Sequence, residues 1–214
     1  MPNKKAQDTR MAILRAARRL FLDKGYSATS MRQIAHKARV TQSLIHHHFG
    51  SKQLLWQAVK QSMLAAYFDA QHRLLAKQET SLDVLRASII AYFRYFQQHP
   101  ELVRLLTWTI LEKGQQGGHL EEKDVFQLGI DRLIQAQKQG IVRSDVQAQS
   151  ILIGFMSLVQ NYFLTKGVHY CGQDTPLVRE EDDALDERYL ADILRFFIDG
   201  VKNRAGEGGN ICGT

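Results

Sequence analysis

Cysteine is almost absent from this chain, with only Cys171 and Cys212 in 214 residues. Two thiols make neither a disulfide framework nor a metal-ligand set, so the reading is a reducing compartment, the cytoplasm. Proline is nearly as scarce: three residues, of which Pro100 and Pro176 fall where helix boundaries are expected. So little proline suits a mostly helical chain, because proline breaks helix interiors. Long apolar runs are missing too. The longest, residues 151–159, is about half of a membrane span and reads as a buried helix. The first residues lead into an arginine-studded amphipathic stretch without an apolar segment, so a secretory leader is not expected. Catalytic signatures are also lacking. There is no phosphate-cradling glycine loop, no nucleophile elbow, no metal-ligand spacing and no pair of carboxylates in an apolar setting, and an enzyme is not expected.

What is present is an uneven charge. Residues 1–60 hold twelve Lys/Arg against two acids, Asp8 and Asp23, whereas the remainder holds sixteen basic and twenty acidic groups. A basic head on a mildly acidic body is the electrostatic footprint of a phosphate-binding module carried by a self-associating one.

Apolar spacing predicts helices throughout and no convincing strand, hence an all-α chain. The first helix is expected over about 8–23, with Ile13, Leu14, Ala17, Leu20 and Phe21 on one stripe and Gly25 as its stop. Ser30-Met31-Arg32-Gln33 is a capping box opening a second helix. A turn at Arg39-Val40 leads to Thr41, a good N-cap for a short third helix ending near Phe49-Gly50. Ser51 caps a long fourth helix to about residue 78, and Thr80 caps a fifth to about residue 99. Pro100 opens a sixth, to about residue 113. After the glycine-rich stretch 114–118 come helices over about 120–139, 145–166 and 185–203. An acidic loop at 167–184 and a flexible glycine-rich tail complete the expectation. The domains read as 1–50 (helix-turn-helix), 51–204 (ligand-binding and dimerisation bundle) and 205–214 (tail).

Two short helices joined by a tight turn, packed on a preceding helix, form a helix-turn-helix. With Ile45 at the centre of the third helix's buried face, steps of about 100° turn Gln42, Ser43, Leu44, His46 and His47 outward. Glutamine pairs with adenine, serine meets either base edge, and leucine contacts a thymine methyl, in a helix just long enough for the major groove.

These residues resemble the TetR family of bacterial regulators. The likeness runs through Ile13-Leu14-Arg15-Ala16-Ala17, Leu20-Phe21, Gly25-Tyr26, Ser30-Met31-Arg32-Gln33-Ile34-Ala35, Ala38-Arg39-Val40-Thr41, Ile45, His48-Phe49 and Ser51-Lys52-Gln53-Leu54-Leu55. It is close over the first quarter of the chain. Beyond that it rests on helix number and length and on the closing Phe196-Phe197-Ile198-Asp199-Gly200. The resemblance implies a homodimeric repressor that binds palindromic operator DNA and is released by a small effector in the helical body. The alternative is a helical adaptor, or a DNA-binding protein that answers to no ligand. Gln42, Ser43, Leu44 and His47 inherit base or groove contacts; Ser30, Thr41, His46 and Lys52 inherit phosphate contacts. Two positions depart from the family pattern. Arg39 stands where the turn usually has glycine, and His46 where the third helix usually has tyrosine. Arginine at a positive φ costs on the order of 1 kcal/mol. Either a phosphate contact compensates it or the turn relaxes out of the left-handed region.

His46-His47-His48 does not read as a metal site, since three consecutive helical residues diverge by about 100° each. Histidine titrates near pH 6.5, so operator binding is expected to be tighter near pH 6 than near pH 8. In the body, Met63, Tyr67, Tyr92, Phe96, Trp108, Phe126, Phe155 and Met156 are candidates to line a cavity for an apolar or aromatic effector; the interior could equally be solid core, which for any single residue is the commoner role. Ile151, Phe155, Leu158 and Tyr162 of the eighth helix, with Leu190, Leu194, Phe197 and Val201 of the ninth, are the expected dimer interface. No cofactor and no metal is expected.

Overall fold

The computed structural model describes residues 4–76, 81–112, 123–169 and 182–203. Cys171, Cys212, Thr80, Pro176 and the expected glycine-rich break and tail lie outside them. Among the described residues the secondary structure is helical apart from one isolated antiparallel bridge, Val142 to Lys202. The helices are α1 (Lys4–Lys24), α2 (Met31–Ala38), α3 (Gln42–Phe49), α4 (Lys52–Leu75), α5 (Leu82–Gln98), α6 (Glu101–Leu111), α7 (Lys123–Lys138), α8 (Ala148–His169) and α9 (Asp182–Val201).

The caps explain most of these boundaries. Ser30 accepts the amide of Gln33 at 3.2 Å while Gln33 Oε1 accepts the amide of Ser30 at 2.9 Å, the reciprocal capping box expected. Thr41 Oγ1 accepts the Leu44 amide at 3.3 Å, and Ser51 Oγ accepts that of Leu54 at 3.1 Å. The cap of α5 is Ser81, accepting from Val84 at 3.3 Å, one residue after the threonine expected there. Asp145 does not start α8. Its carboxylate holds the guanidinium of Arg143 at 2.5–2.6 Å, and the helix begins at Ala148.

The chain divides into two compact units, Met1–Ala66 with Pro100–Glu121, and Tyr67–His99 with Glu122–Thr214. The sequence boundary near residue 50 is therefore not where the contacts divide. The cut falls inside α4, and α6 joins the first unit. In that unit α1 packs on α2 and α6, and α2 on α3. Ile13, Ala17, Phe21, Ile34, Ile45, Leu55, Trp56 and Val59 are fully buried there. Phe21 meets Trp56 edge-on at 4.9 Å.

In the second unit α5 packs on α8 and α9, and α7 on α8. Where the last turns of α5 and α8 meet the start of α9 lies a buried polar knot. Asp186, 2% exposed, accepts Tyr162 Oη at 2.6 Å, Lys166 Nζ at 2.9 Å and Gln97 Nε2 at 3.2 Å. A buried carboxylate is tolerable only with such partners, and these three donors satisfy both oxygens.

The residues expected to form the dimer interface are mostly spent inside this unit. Ile151, Phe155, Tyr162, Leu190, Leu194, Phe197 and Val201 are buried in the single chain, and Leu158 is half-buried. Their spacing marks the stripe that faces the chain's own core. Among the described residues, the large apolar side chains that α8 and α9 leave exposed are Ile153, Leu164 and Phe196, the last 74% exposed.

Candidate nucleic-acid interface

Two buried side chains, Ile45 and Phe49, fix the inner face of α3. The guanidinium of Arg10 lies 5.0 Å from the Phe49 ring centroid, tying α1 to the end of α3. Gln42, Ser43, His46 and His47 are exposed, and Leu44 and His48 are half-buried. The expected outward face thus comes together, with Leu44 at its margin.

His46 Nδ1 lies 2.7 Å from the carbonyl oxygen of Gly50. A carbonyl only accepts, so Nδ1 carries the hydrogen and Nε2 is the atom left for an outside partner. Ser30 and Thr41 are both exposed N-caps. Each hydroxyl accepts a helix amide, which leaves its own O–H to donate. The Ser30 proton is available to an outside acceptor, while Thr41 Oγ1 shares a 3.2 Å contact with Ser43 Oγ.

Lys52 is arranged differently from expectation. Its ammonium sits 4.2 Å from the Tyr26 ring centroid and donates to the Ser27 carbonyl at 3.4 Å. It braces the α1–α2 turn. Burial pushes its pKa below the usual lysine value, and the negative charge of Glu112 opposes that shift. Burial also pushes the Tyr26 phenol up, with Glu112 adding to it.

Arg39 occupies the left-handed region, φ 56° and ψ 44°, among the described residues the one non-glycine with positive φ. The conformation belongs to a Schellman-type end of α2: the Val40 amide donates to Ala35 O at 3.0 Å and the Arg39 amide to His36 O at 3.2 Å. The turn has not relaxed, and an L-residue there costs about 1–2 kcal/mol.

Sequence reasoning missed the support of the α1–α2 turn. Glu112, at the end of α6, accepts the backbone amides of Tyr26 at 2.9 Å and Ser27 at 3.1 Å. At the other end of α6, Glu101 pairs with Arg18 of α1. Trp108, expected in a ligand cavity, belongs to this support instead. Its indole N–H donates to Leu22 O at 3.3 Å, and its ring covers Gly25, where an added Cβ would lie 2.7 Å from Cε3. An aromatic residue in a helix carries no local mark of which partner it covers, so only the long-range contact reveals it.

The other cavity candidates divide. Met63 is buried in the first unit. In the second, Tyr92 meets Tyr67 at 5.4 Å, Phe96 at 5.0 Å and Phe155 at 5.7 Å between ring centroids. Gln160 Nε2 donates to the Tyr92 hydroxyl at 2.6 Å. Phe126 and Met156 are half-buried.

A capped, solvent-facing helix held behind a tight turn, on a basic three-helix support with a separate helical unit, defines the helix-turn-helix class of DNA-binding regulators. The sequence matches the model for bacterial regulatory proteins of the tetR family over residues 13–59, and that for a tetracyclin repressor-like C-terminal domain over residues 85–184. The chain belongs to the TetR family of transcriptional regulators. It is 27% identical over 199 residues to the HTH-type transcriptional repressor NicS of Pseudomonas putida, covering 91% of each chain. It is 30% identical over 99 residues to the HTH-type transcriptional activator FasR of Mycolicibacterium smegmatis, covering 46% of this chain and 45% of that one. A solved TetR family regulator from Marinobacter aquaeolei shares the fold with a TM-score of 0.69 at 18% identity, covering 94% of this chain and all of that one.

Proposed function

We propose that this regulator is a repressor that binds a palindromic operator as a homodimer through the outer face of α3 and is released by a small apolar or aromatic effector. The observation that carries the reading is the exposed row Gln42, Ser43, His46 and His47 on a helix locked from behind by Ile45 and Phe49. Base-reading side chains need a rigid support, and here the polar face projects from a segment with twelve basic groups and two acids. Repression rather than activation is supported by the relative that matches almost end to end, a repressor. Among the described residues no helix is long and apolar enough to cross a membrane, and action in the cytoplasm accords with that.

The dimer forms through Ile153, Leu164 and Phe196, because the neighbouring apolar positions are already covered by the chain itself. The effector contacts the cluster of Tyr67, Tyr92, Phe96 and Phe155, whose aromatic walls and hydrogen-bonded Tyr92 hydroxyl suit a ligand with an apolar or aromatic frame.

The test is selection of duplexes from a random-sequence library by the purified protein, followed by a salt titration of binding. A two-fold symmetric consensus and a steep loss of affinity with salt are expected. Failure to enrich any sequence, with affinity indifferent to salt, overturns the proposal and favours a helical adaptor. A reporter whose promoter contains the selected duplex separates repression from activation. Mass spectrometry of small molecules that copurify, followed by thermal-shift titration with them, tests the effector.

A further inference from the structure

We infer that Arg39 is a phosphate clamp, a DNA contact supplied by the turn itself in addition to the reading helix. The inference rests on the operator-binding reading above and deepens it. Arg39 holds a left-handed conformation that glycine adopts without strain, and the hydrogen bonds closing α2 depend on that backbone shape and not on the side chain. The arginine side chain therefore contributes nothing to the turn that requires it. It is exposed, and among the described residues its guanidinium makes no hydrogen bond, ion pair or ring contact. Packing and intramolecular charge pairing both fail to explain it. A strained position held without intramolecular return points to use outside the chain.

Position and charge identify that use. Arg39 lies two residues before Thr41, the N-cap of the reading helix. Lys37 and Arg32 are exposed on the same short helix, and the two acids of the first sixty residues, Asp8 and Asp23, both lie on α1. The group that meets the free fork in this setting is an anion on the partner. Beside a helix inserted in the major groove, that anion is a backbone phosphate, which a guanidinium binds through two parallel N–H donors. The affinity gained is independent of sequence, so the turn contributes grip while α3 contributes choice.

The experiment compares wild type, Arg39→Gly and Arg39→Lys on two duplexes: one selected by the wild-type protein and a scrambled duplex of the same composition. Arg39→Gly removes strain and charge together, so its melting temperature should rise by about 2–4 °C. Its affinity should fall roughly tenfold on both duplexes. The slope of log affinity against log salt should flatten by about 0.9 for each Arg39 engaged. Arg39→Lys keeps the charge and should retain the wild-type slope. An unchanged slope in Arg39→Gly overturns the inference. So does an affinity loss confined to the selected duplex, which would make Arg39 a base reader. If the wild-type protein selects no duplex, the operator reading itself has failed.

Discussion

Glu112 accepts the backbone amide of Tyr26 at 2.9 Å, across 86 positions of sequence. Its second oxygen takes the Ser27 amide at 3.1 Å, so one carboxylate caps two successive donors in the turn that leads into α2. Tyr26 in turn carries the Lys52 ammonium on its ring. The turn is held by one negative group from α6 and one positive group from α4.

Removal of that carboxylate should loosen the reading unit specifically. Glu112→Ala is expected to cost about 1–2 kcal/mol, at the low end for charge-assisted hydrogen bonds because the site is partly exposed. Glu112→Gln keeps one acceptor and should cost less than half as much. Amide exchange at Tyr26 and Ser27 should accelerate in Glu112→Ala while exchange in α8 and α9 stays as in wild type. Equal acceleration in α8 and α9 would show a global effect instead.

Gly25 and Trp108 should be coupled in a mutant cycle. Gly25 sits at φ +79°, and a Cβ there would approach Trp108 Cε3 to 2.7 Å. Gly25→Ala therefore meets backbone strain and a ring clash together, and should lose about 2–4 kcal/mol. In a Trp108→Ala background the ring contact is gone and only Glu112 Oε1, 2.8 Å from the added Cβ at the end of a flexible side chain, must shift, so the same glycine substitution should cost less, about 1–3 kcal/mol. Denaturant unfolding of the four proteins gives the comparison, and strict additivity would mean the two positions do not touch.

Adjacent phenylalanines in α9 should behave in opposite ways. Phe197 is buried against Phe155, with ring centroids 5.9 Å apart, and Phe197→Ala should destabilise the fold by about 3–5 kcal/mol. Phe196 is 74% exposed. Phe196→Asp should leave the monomer's unfolding free energy within about 0.5 kcal/mol. It should shift the mass measured by light scattering from dimer toward monomer and weaken operator binding with it. An unchanged mass would move the interface elsewhere.

The Arg94–Glu187 pair sets a pH signature. Hydrogen bonding and attraction from Arg94 hold the Glu187 carboxyl below the usual carboxylate value. A carboxyl whose folded pKa is depressed adds stability that is present above its unfolded value and is lost as pH falls through the folded value. Glu187 is open to solvent, so the effect on stability is small and the titration itself is the better readout. In Arg94→Met the Glu187 side-chain carbon, followed by NMR, should titrate at higher pH than in wild type. Coincident curves would mean the pair does not persist in solution.

The local parts of this fold are plain in the sequence because their causes are local. Ser30 and Gln33 close a box over three residues, and Thr41 caps four residues before Ile45 turns inward. The φ at Arg39 is not settled by the sequence, which equally allows a turn relaxed out of the left-handed region; the structure gives φ 56°. The partition of apolar surface is not local. The stripe of Leu190, Leu194, Phe197 and Val201 shows only that one face of α9 is covered, and it covers the chain's own α5 and α8 side. Ile153, Leu164 and Phe196 form no long periodic run, so nothing in the pattern sets them apart from ordinary surface. Trp108 and Glu112 belong to the first unit through contacts that skip most of α2 to α5, which periodicity cannot register.

The placement of α6 also bears on how this regulator can be taken apart. The reading unit is discontinuous in the gene: the partner of Arg18, its Trp108 cover and its capping carboxylate Glu112 are encoded about 35 to 46 codons after its first segment ends at Ala66. A fragment cut at residue 66 carries the whole helix-turn-helix motif yet exposes the Tyr26 and Ser27 amides to water and uncovers Gly25. Grafting this DNA specificity onto another body therefore means transplanting α6 as well, or designing a substitute for Glu112 on the recipient scaffold.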